Sequence, residues 1–526
     1  MSDLPSESQS PLPLAGSGVT WRSLLAGGLV ALCISVGAPY SNMVLRGSYL
    51  ALDFSTAGAI FLFFLFIFII HTLLGLIHPR LAFRREELVV VYIMGIVGCS
   101  IPTMGLTEYL LPIISGVTYY ATPENEWAQL VHPYIPPWMV PQDMEAVKYF
   151  YEGAPRGYPL PWETWVTPLL AWVPFILAIY FSMICIIVML RRQWVMQERL
   201  TFPLVQVPLA MIEDGEKPSI LKPFFKSPLM WMGFALPFCI GSLRALHNYY
   251  NFIPTVTLSM AIPLFRNTTS QSITLSFPMV GFSYFVNLDI AFAIWFFNLL
   301  ARVQEGIFGI VGVTSSEKLY YAANFPVLAH EGMGAMLVLA IFGLWTARSH
   351  LGQVFRKAFR GNPEIDDSDE MLSYRVAVFG LLASNIFICV WLWMAGMAWW
   401  VLPIYLTTMY LVFLAITRVV AEGGIAAARA PLIASDFVSS SLGNSILTPH
   451  TLLALGMTYV WAADIRTFVM ASCANGLKLA EEQLQRRKRS LLLAIMLSIV
   501  VSLAASIVTV LYLSYTYGGI NLNGWF

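Results

Sequence analysis

The residues of this chain that could do chemistry are ionisable and amide side chains set in long apolar stretches. A charged side chain at the centre of a membrane helix costs at least about 2.5 kcal/mol, so such residues usually line a path for a substrate or a coupling ion. The candidates for such a pathway are Glu108, Asn287, Asp289, Glu305, His330, Glu331, Glu422, Arg429, Asn444 and His450.

Two carboxylates have the clearest apolar surroundings. Asp289 follows Asn287 in YFVNLDIAFAIWFF, and a span from Ile273 to Leu300 would place it near the middle of the membrane, where only a cavity or a basic partner would keep it ionised. Glu108 follows Pro102 and Gly105 in CSIPTMGLTEYLLP, where a loosened helix could direct a carboxylate into a cavity. The alternative for Glu108 is the water-exposed end of its span.

Two further motifs combine ionisable residues with glycine. In QEGIFGIVG, glycines at three-residue spacing follow Glu305, and this pattern favours close helix packing over substrate contact. In HEGMGA, His330 and Glu331 could serve proton coupling, because histidine titrates near neutral pH and burial raises the pKa of a carboxylate.

The stretch RVVAEGGIAAARAPLIASDF has the largest number of polar residues in an apolar setting. Glu422 and Arg429 are seven positions apart, so a continuous helix would place them on one face, as a substrate or coupling site or as a structural ion pair. Further on, Asn444 and His450 flank an expected helix break, and free backbone carbonyls at such breaks coordinate ions in many transporters.

Enzymatic motifs are absent from the sequence. It has no GxxxxGK[ST], HExxH, GxSxG or CxxCH, so ATP hydrolysis, zinc proteolysis, serine hydrolysis and c-type haem have no support. The six cysteines show no CxxC spacing and are expected to be small buried hydrophobes. We therefore expect no catalytic residue, no metal site and no cofactor.

The elements that must position these residues are membrane helices. About 20 apolar residues span about 30 Å of hydrocarbon. The stretches that qualify are Trp21 to Tyr40, Gly58 to Ile77, Leu88 to about Tyr109, Thr164 to Leu190, Pro228 to His247, Ile273 to Leu300, Pro326 to Thr346, Tyr374 to Gly396, Met397 to Thr417 and Ser490 to Tyr515. Shorter or broken apolar pieces suggest re-entrant or discontinuous helices, or helices lying flat on the membrane; they are Leu200 to Ile212, Phe252 to Phe265, Gly306 to Val313 and Val419 to about Ala462.

Basic residues in short loops set the orientation, since cytoplasmic loops hold the excess. Four loops qualify as cytoplasmic, containing Arg80, Arg84 and Arg85; Arg191, Arg192 and Arg199; Arg348, Arg356, Lys357 and Arg360; and Arg486, Arg487, Lys488 and Arg489. With Arg302 also taken as cytoplasmic, residues 306–321 must supply a second crossing or a deep hairpin before Arg348. Arg418 and Arg486 are also both taken as cytoplasmic, so an even number of crossings must lie between them. One added crossing in each of the two places gives about 13 crossings in all.

This topology divides the chain into a flexible cytoplasmic tail (1–20), one transmembrane domain (21–517) and a short extracytoplasmic tail (518–526). Within the domain, residues 121–163 form an extracytoplasmic loop and residues 348–373 a cytoplasmic loop.

Composition agrees with an all-α, polytopic helical bundle of about 12 to 16 membrane-embedded helices. The chain has 526 residues, of which 58% are hydrophobic and 11% charged, and too few charges to cover a soluble fold of this size. Thirty basic and thirty acidic residues cancel, so no basic excess is present to bind nucleic acid. The expected partners are the lipid bilayer and a small-molecule substrate; a homo-oligomer or a larger membrane complex is compatible with the sequence.

At RRQWVMQERLTFPLVQVPLAMI, LSYRVAVFGLL and RVVAEGG, the chain resembles a family of bacterial multi-pass proteins that is itself similar to the oligopeptide transporter superfamily. The residues that match are Arg191, Arg192, Trp194, Glu198, Arg199, Pro203, Glu422 and Gly423. The resemblance implies a secondary transporter that moves small peptides or metal chelates with protons. It carries over no substrate-binding residue, and a structural role at the cytoplasmic edge is expected for the first stretch.

The sequence therefore predicts a proton-coupled transporter in a bacterial inner membrane, with the amino terminus in the cytoplasm. Asp289 or Glu422 would carry the proton in a midplane cavity between broken helices. Two alternatives remain: a membrane enzyme that acts on a lipid-linked substrate, and a non-catalytic subunit of a membrane complex.

Overall fold

A computed structural model describes residues 19–47, 49–103, 106–215, 220–319, 325–463, 466–484, 488–524 and 526. The predicted tail is therefore almost entirely outside the described residues, as are Gly105, Tyr321, Arg486 and Arg487.

The chain is an all-α polytopic membrane bundle, as predicted. The helices of the first part are α1 (Trp21–Pro39), α2 (Ala57–Leu65), α3 (Thr72–Ile77), α4 (Arg85–Cys99), α5 (Thr107–Tyr119), α6 (Trp127–Leu130), α7 (Met144–Glu152), α8 (Trp162–Arg192) and α9 (Gln206–Ile212). Three π-helical segments continue them, Tyr40–Val44 after α1, Phe66–His71 between α2 and α3, and Gln193–Gln197 after α8.

The second part begins with α10 (Pro228–Tyr249) and an antiparallel hairpin of β1 (Ser259–Leu264) and β2 (Thr269–Thr274), in which Ser259 pairs with Thr274. The remaining helices are α11 (Phe277–Ser283), α12 (Leu288–Val311), α13 (Pro326–Thr346), α14 (Arg348–Arg360), α15 (Tyr374–Met394), α16 (Val401–Gly423), α17 (Ala434–Leu442), α18 (Pro449–Met457), α19 (Tyr459–Ala462), α20 (Val469–Gln483) and α21 (Leu491–Tyr517).

Nine helices of the described chain are long and apolar enough to cross a membrane, counting the π-helical continuations. They are Trp21–Val44, Ala57–Ile77, Trp162–Gln197, Pro228–Tyr249, Leu288–Val311, Pro326–Thr346, Tyr374–Met394, Val401–Gly423 and Lys488–Tyr517.

The predicted span from Ile273 to Leu300 is wrong. Ile273 lies in β2, and the side chain of Asn287 accepts a hydrogen bond from the Asp289 backbone N–H (3.0 Å), which caps the start of α12 at Leu288. Capping satisfies a backbone donor that the first helical turn leaves unpaired. The predicted break after Gly306 is also wrong, because α12 continues without interruption to Val311. Arg302 therefore lies inside α12 and not in a cytoplasmic loop, so no second crossing is required between Arg302 and Arg348.

The two most buried helices, α4 and α20, are too short to span the membrane alone. All residues from Leu88 to Cys99 and from Val469 to Leu477 are buried. The helices α1 and α21 pack tightly against α4, where a Cβ on Gly98 would lie 2.9 Å from the Ala31 side chain and 2.8 Å from the Ser502 hydroxyl oxygen. By contrast, α10 has no buried residue and lies at the periphery with the hairpin.

The basic loops lie on one face of the bundle. The Ser498 hydroxyl donates to the Met94 carbonyl (2.6 Å), so α4 and α21 run parallel and begin on the same side, at Arg85 and Lys488. Arg191 and Lys488 share the carboxylate of Glu481, which brings the end of α8 to that side. We call this side the basic face. The loop 121–163 lies on the opposite face, since Ala154 N–H donates to the carbonyl of Tyr515, near the end of α21.

Candidate functional site

Several segments without α-helix meet α4 and α20 in the centre of the bundle. The backbone N–H of Ser55 donates to the carbonyl of Ala426 (2.9 Å), and that of Phe202 donates to Ala421 (2.9 Å). The rings of Phe54 and Phe468 are in edge contact, with centroids 5.4 Å apart. The segments 49–56, 199–205, 424–433 and 466–468 thus form the irregular part of the interior. Such backbone occurs at membrane depth only where protein buries it or a cavity adjoins it.

A small cavity of about 10 Å³ lies between two of these segments, 49–56 and 199–205, and the helices α4 and α20. It has room for about one water molecule. The polar residues that line it are Ser55, Thr56, Tyr92, Ser472 and Asn475, and we call this group the midplane site. The Asn475 amide donates to the Ala471 carbonyl (3.2 Å), whereas its oxygen has no hydrogen-bond partner among the described residues.

The depth of the midplane site follows from helix geometry. Tyr92 and Ile96 lie about 10 and 16 Å along α4 from Arg85 at the basic face, at 1.5 Å per residue. Asn475 is about 12 Å from the end of α20 at Gln483. The hydrocarbon layer is about 30 Å thick, so the cavity lies near its middle.

The second site is the carboxylate of Glu108. The helix that begins with α4 ends at Cys99, and α5 resumes at Thr107, so the break expected at Pro102 is present. Glu108 is fully buried and accepts a hydrogen bond from the Asn42 amide (3.0 Å), on the π-helical segment that ends α1. Its other oxygen has no hydrogen-bond partner among the described residues, and no described cation forms an ion pair with it.

The surroundings of Glu108 favour its neutral form. A buried carboxylate without a cation loses hydration that a single neutral amide cannot replace. Asn42 lies about 30 Å along α1 from Trp21, so the pair is nearer to the opposite face than the midplane site is. The interpretation of Glu108 as a water-exposed helix end is therefore wrong, because the helix break is covered by protein.

His330 belongs to a separate cluster toward the opposite face. Its Nε2 lies 3.1 Å from a carboxylate oxygen of Glu317 and 3.3 Å from the Ser440 hydroxyl, and that hydroxyl donates to Glu317 (2.5 Å). In a nucleophilic triad the hydroxyl and the carboxylate contact different ring nitrogens. Both use the same nitrogen here, so this cluster does not have the geometry of a serine hydrolase.

Glu331 and Glu305 are paired with other partners. Glu331 does not pair with His330; it accepts a hydrogen bond from Gln304 (3.0 Å). Glu305 accepts from Arg302 (2.5 Å) and from the Thr269 hydroxyl (3.0 Å). Gly306 and Gly309 lie directly against the hairpin turn at Phe265 and Thr268, whereas Gly312 has no neighbour within 4 Å. The close packing that the glycine spacing favours is therefore with a hairpin and not with another helix.

Asp289 and Asn287 do not form an intramembrane site. Asp289 is exposed in the first turn of α12, and Asn287 is its cap. The neighbouring Ile290 lies near Gly423, at the basic-face end of α16. The prediction that Asp289 lies at mid-span is therefore wrong, because the helix starts at Leu288 and not at Ile273.

Glu422 and Arg429 do not share a helix face. Helix α16 ends at Gly423, and Gly424 has a φ of 62°, so the chain leaves the helix between the two residues. Glu422 is exposed and pairs with Arg418 one turn earlier (3.2 Å). The predicted Glu422–Arg429 arrangement is wrong, because Glu422 is in the last turn of α16 and Arg429 lies within the irregular segment that follows.

Asn444 and His450 lie on the two sides of a helix break, as expected, but far from the midplane. Asn444 follows the end of α17, and His450 is exposed in the first turn of α18. The ring of His450 contacts Tyr134 in the 121–163 loop at a centroid distance of 4.8 Å. This break therefore lies at the opposite face.

Asp289, Glu331 and Glu422 consequently do not converge on one cavity. Sequence reasoning missed Asn42, Tyr92, Ser472 and Asn475. The last two lie in MASCANGLKLAEEQ, where small polar residues at helical spacing in an otherwise apolar run were an available signal. Asn42 lies 66 positions from Glu108, and nothing local in the sequence links the two.

The first and the last of the three sequence stretches that carry the family resemblance contact each other. Glu198 pairs with Arg418 (2.6 Å), which also pairs with Glu422. Pro203 packs against Gly424, where a Cβ would collide with the proline ring. The resemblance therefore covers the place where the segment after α8 joins the end of α16, between the basic face and the midplane site.

The chain was also compared with known proteins. The protein-family model with the description “Family of unknown function (DUF6785)” matches residues 13–526 of the sequence. No curated protein matches the chain.

Proposed function

The chain belongs to the DUF6785 family, and from the arrangement of its interior we propose that it is a secondary active transporter that moves a small solute together with protons. The observation that supports this most directly is the pair of irregular segments, 49–56 and 199–205, that line the midplane site. Discontinuous helices at the bilayer midplane form the substrate and ion sites of many secondary transporters.

Glu108 replaces Asp289 and Glu422 in this proposal as the residue that carries the proton. It is a buried acid in a helix break, with one oxygen held by Asn42 and the other unpaired among the described residues. Water that reaches the break would stabilise the charged form, and closure would restore the neutral form. Proton binding would then be linked to opening and closing.

The remaining features of the proposal come from the sequence. The resemblance implies that the solute is a small peptide or a metal chelate. The excess of Lys and Arg on the basic face favours a cytoplasmic location for that face and for the amino terminus. A bacterial inner membrane is the location that the resemblance implies.

The surroundings of Glu108 also argue against the alternative that the protein is a non-catalytic subunit of a membrane complex. A purely structural membrane subunit is expected to pair its buried acids with cations. Glu370 is such an acid, since it forms an ion pair with Arg191 (2.7 Å). Glu108 has no such partner among the described residues, so we favour the transporter.

The test is solute-driven proton movement in liposomes. Purified wild-type protein, Glu108→Gln and the control Glu364→Gln, an exposed acid after α14, are reconstituted with a pH-sensitive dye. Trialanine and an iron(III)–citrate complex serve as probes. Wild type and Glu364→Gln should take up a probe under an inward pH gradient, and Glu108→Gln should lose roughly 5- to 150-fold in gradient-driven uptake. Uptake of a probe at the same rate with and without the pH gradient would contradict the proposal. Equal gradient-driven uptake by wild type and Glu108→Gln would also contradict it.

A second measurement does not depend on the choice of probe. Infrared spectra of the purified protein at neutral pH should contain a protonated carboxyl band that Glu108→Gln removes and Glu364→Gln retains. If wild type has no such band, Glu108 is ionised and cannot have the role proposed for it.

A further inference from the structure

A polar cavity of about 840 Å³ opens at the opposite face and shares no lining residue with the two sites described above. Its walls are the chain after α1 (Arg46 and Gly47), the last two turns of α10 and the strand ends of the hairpin. A hydrogen bond between the hydroxyls of Ser259 and Thr274 (2.8 Å) holds the two strand ends together at the cavity. This cavity has no role in the proposed transport.

The charge of the cavity wall is positive. Arg46, Arg244 and His247 line it together with hydroxyl and amide side chains, and its lining contains no aspartate or glutamate. Arg244 is exposed and forms no ion pair with a described residue. An arginine on a membrane-facing helix needs an anion or water at its guanidinium group.

The position of Arg244 matches the depth of lipid headgroups. Ile220 lies against Gly75 at the end of α3, just before the basic loop at Arg80, so α10 begins near the basic face at Pro228. Arg244 lies about 24 Å further along α10, close to the far boundary of the hydrocarbon layer. Because α10 has no buried residue, its side chains face the surroundings of the protein. The cavity is therefore open at the level where lipid phosphates are found.

The other two basic groups are held by the backbone. One nitrogen of the Arg46 guanidinium donates to the carbonyls of Asn521 (2.9 Å) and Leu522 (2.7 Å), and Arg46 has a φ of 50°. The His247 ring donates through Nδ1 to the Ile253 carbonyl (2.6 Å), which fixes the ring at the cavity wall. Two fixed groups and one exposed guanidinium thus surround a space that no carboxylate of the described residues lines.

We propose that this cavity binds a phosphate-bearing anion, supplied by an anionic lipid headgroup or by free phosphate. Guanidinium groups bind phosphate through paired, charge-assisted hydrogen bonds, and hydroxyl groups complete the set of donors. The size of the cavity allows a complete headgroup, and its depth places a lipid phosphate within reach of Arg244.

The experiment measures binding to the purified full-length chain in neutral detergent. Native mass spectrometry follows phosphatidylglycerol and phosphatidylcholine, and calorimetry follows inorganic phosphate. Phosphatidylglycerol should bind more tightly than phosphatidylcholine, and Arg244→Gln should weaken it at least about tenfold, because a charge-assisted hydrogen bond is lost. Arg244→Lys, which keeps the charge, should recover part of the affinity.

Arg266→Gln is the matched control, since Arg266 is an exposed arginine of the same hairpin but does not line the cavity. It should bind as wild type does. Binding of phosphatidylglycerol alone identifies a lipid site, and displacement of this lipid by inorganic phosphate identifies a site for the free anion as well. Equal affinity of Arg244→Gln and Arg266→Gln for phosphatidylglycerol, or no preference over phosphatidylcholine in wild type, would overturn the proposal. Size-exclusion profiles show whether each variant is folded.

Discussion

At the residue scale, the strongest electrostatic feature is the cluster around Arg191 at the basic face. Its guanidinium is 3% exposed, forms two hydrogen bonds with Glu370 (2.7 and 2.8 Å) and also contacts Glu481. Lys488 is buried as well and pairs with Asp369 (3.0 Å) and with Glu481. The cluster joins α8, the chain before α15, α20 and α21. Removing one charge would leave its buried partners without compensation.

We therefore expect Arg191→Met to destabilise the protein by about 3 to 5 kcal/mol, because it leaves the buried Glu370 unpaired. The control is Lys148→Met, since Lys148 is 61% exposed and its contact with Glu152 is 3.9 Å long. An exposed pair contributes about 0 to 1 kcal/mol. Thermal unfolding followed by tryptophan fluorescence measures both variants, and equal unfolding temperatures would show that the cluster is not structural.

Individual residues show where sequence reasoning about the site succeeds and where it does not. Glu108 was found because Pro102 interrupts its helix, and proline acts through local geometry. Asp289 was misplaced because the cap at Asn287 starts its helix later than apolar composition suggests. Glu422 was misplaced because the left-handed Gly424 ends a helix that composition alone continues. The pairing of Glu108 with Asn42 depends on contacts between distant parts of the chain.

At the element scale, α14 is an amphipathic helix docked on the basic face. Its buried residues His350, Val354 and Ala358 recur every fourth position, which places them on one side. The Nε2 of His350 donates to the carbonyl of Met189 at the end of α8 (2.9 Å). Burial, opposed mainly by this hydrogen bond, holds the pKa of His350 below its ordinary value.

This lowered pKa predicts that acid weakens the docking of α14. An undocked His350 takes up a proton as the pH falls through about 6.5, whereas the docked residue stays neutral to lower pH, so the docked state loses stability below that pH. The protection factors of the α14 amides, which are their exchange rates corrected for the intrinsic rate at each pH, should fall on going from neutral to mildly acidic buffer. His350→Gln, whose amide can donate to the same carbonyl without titrating, should remove that fall in protection. Equal protection factors for wild-type α14 at both pH values would contradict the prediction.

The elements also differ in how far the sequence predicts them. Long spans such as α8 and α21 follow from length and apolarity alone. Helix α20 was missed because it has only 15 residues and ends in charged ones, although it is among the most buried. The hairpin was missed because β1 reads as a short apolar piece with a proline, and its pairing with β2 is a contact that hydropathy does not contain.

At the scale of the whole molecule, the topology is directly testable. The chain enters at the basic face with α1 and reaches the opposite face at the end of α21, as an odd number of crossings requires. Lys148 lies in the loop of the opposite face, and Glu364 follows α14 at the basic face.

We expect a membrane-impermeant maleimide to label Lys148→Cys in intact bacterial cells and Glu364→Cys only after permeabilisation, because basic loops stay in the cytoplasm. Wild type is the control, since Cys99, Cys185 and Cys473 are buried and Cys33, Cys239 and Cys389 lie on membrane-spanning helices. Labelling of Glu364→Cys but not Lys148→Cys in intact cells would reverse the orientation.

The tight packing at Gly98 has a mechanical consequence. With Ala31 and Ser502 almost touching the α4 backbone, the three helices around it have no room to slide past one another and behave as a fixed frame. Residues 424–433 run without the internal bonding of a helix and contact the wall of the midplane site through the hydrogen bond from the Ser55 N–H to the Ala426 carbonyl, so they are the part of this region that we expect to move. Access to the midplane site would then change by movement of residues 424–433 relative to α1, α4 and α21. No rocking motion of two halves of the protein would be required.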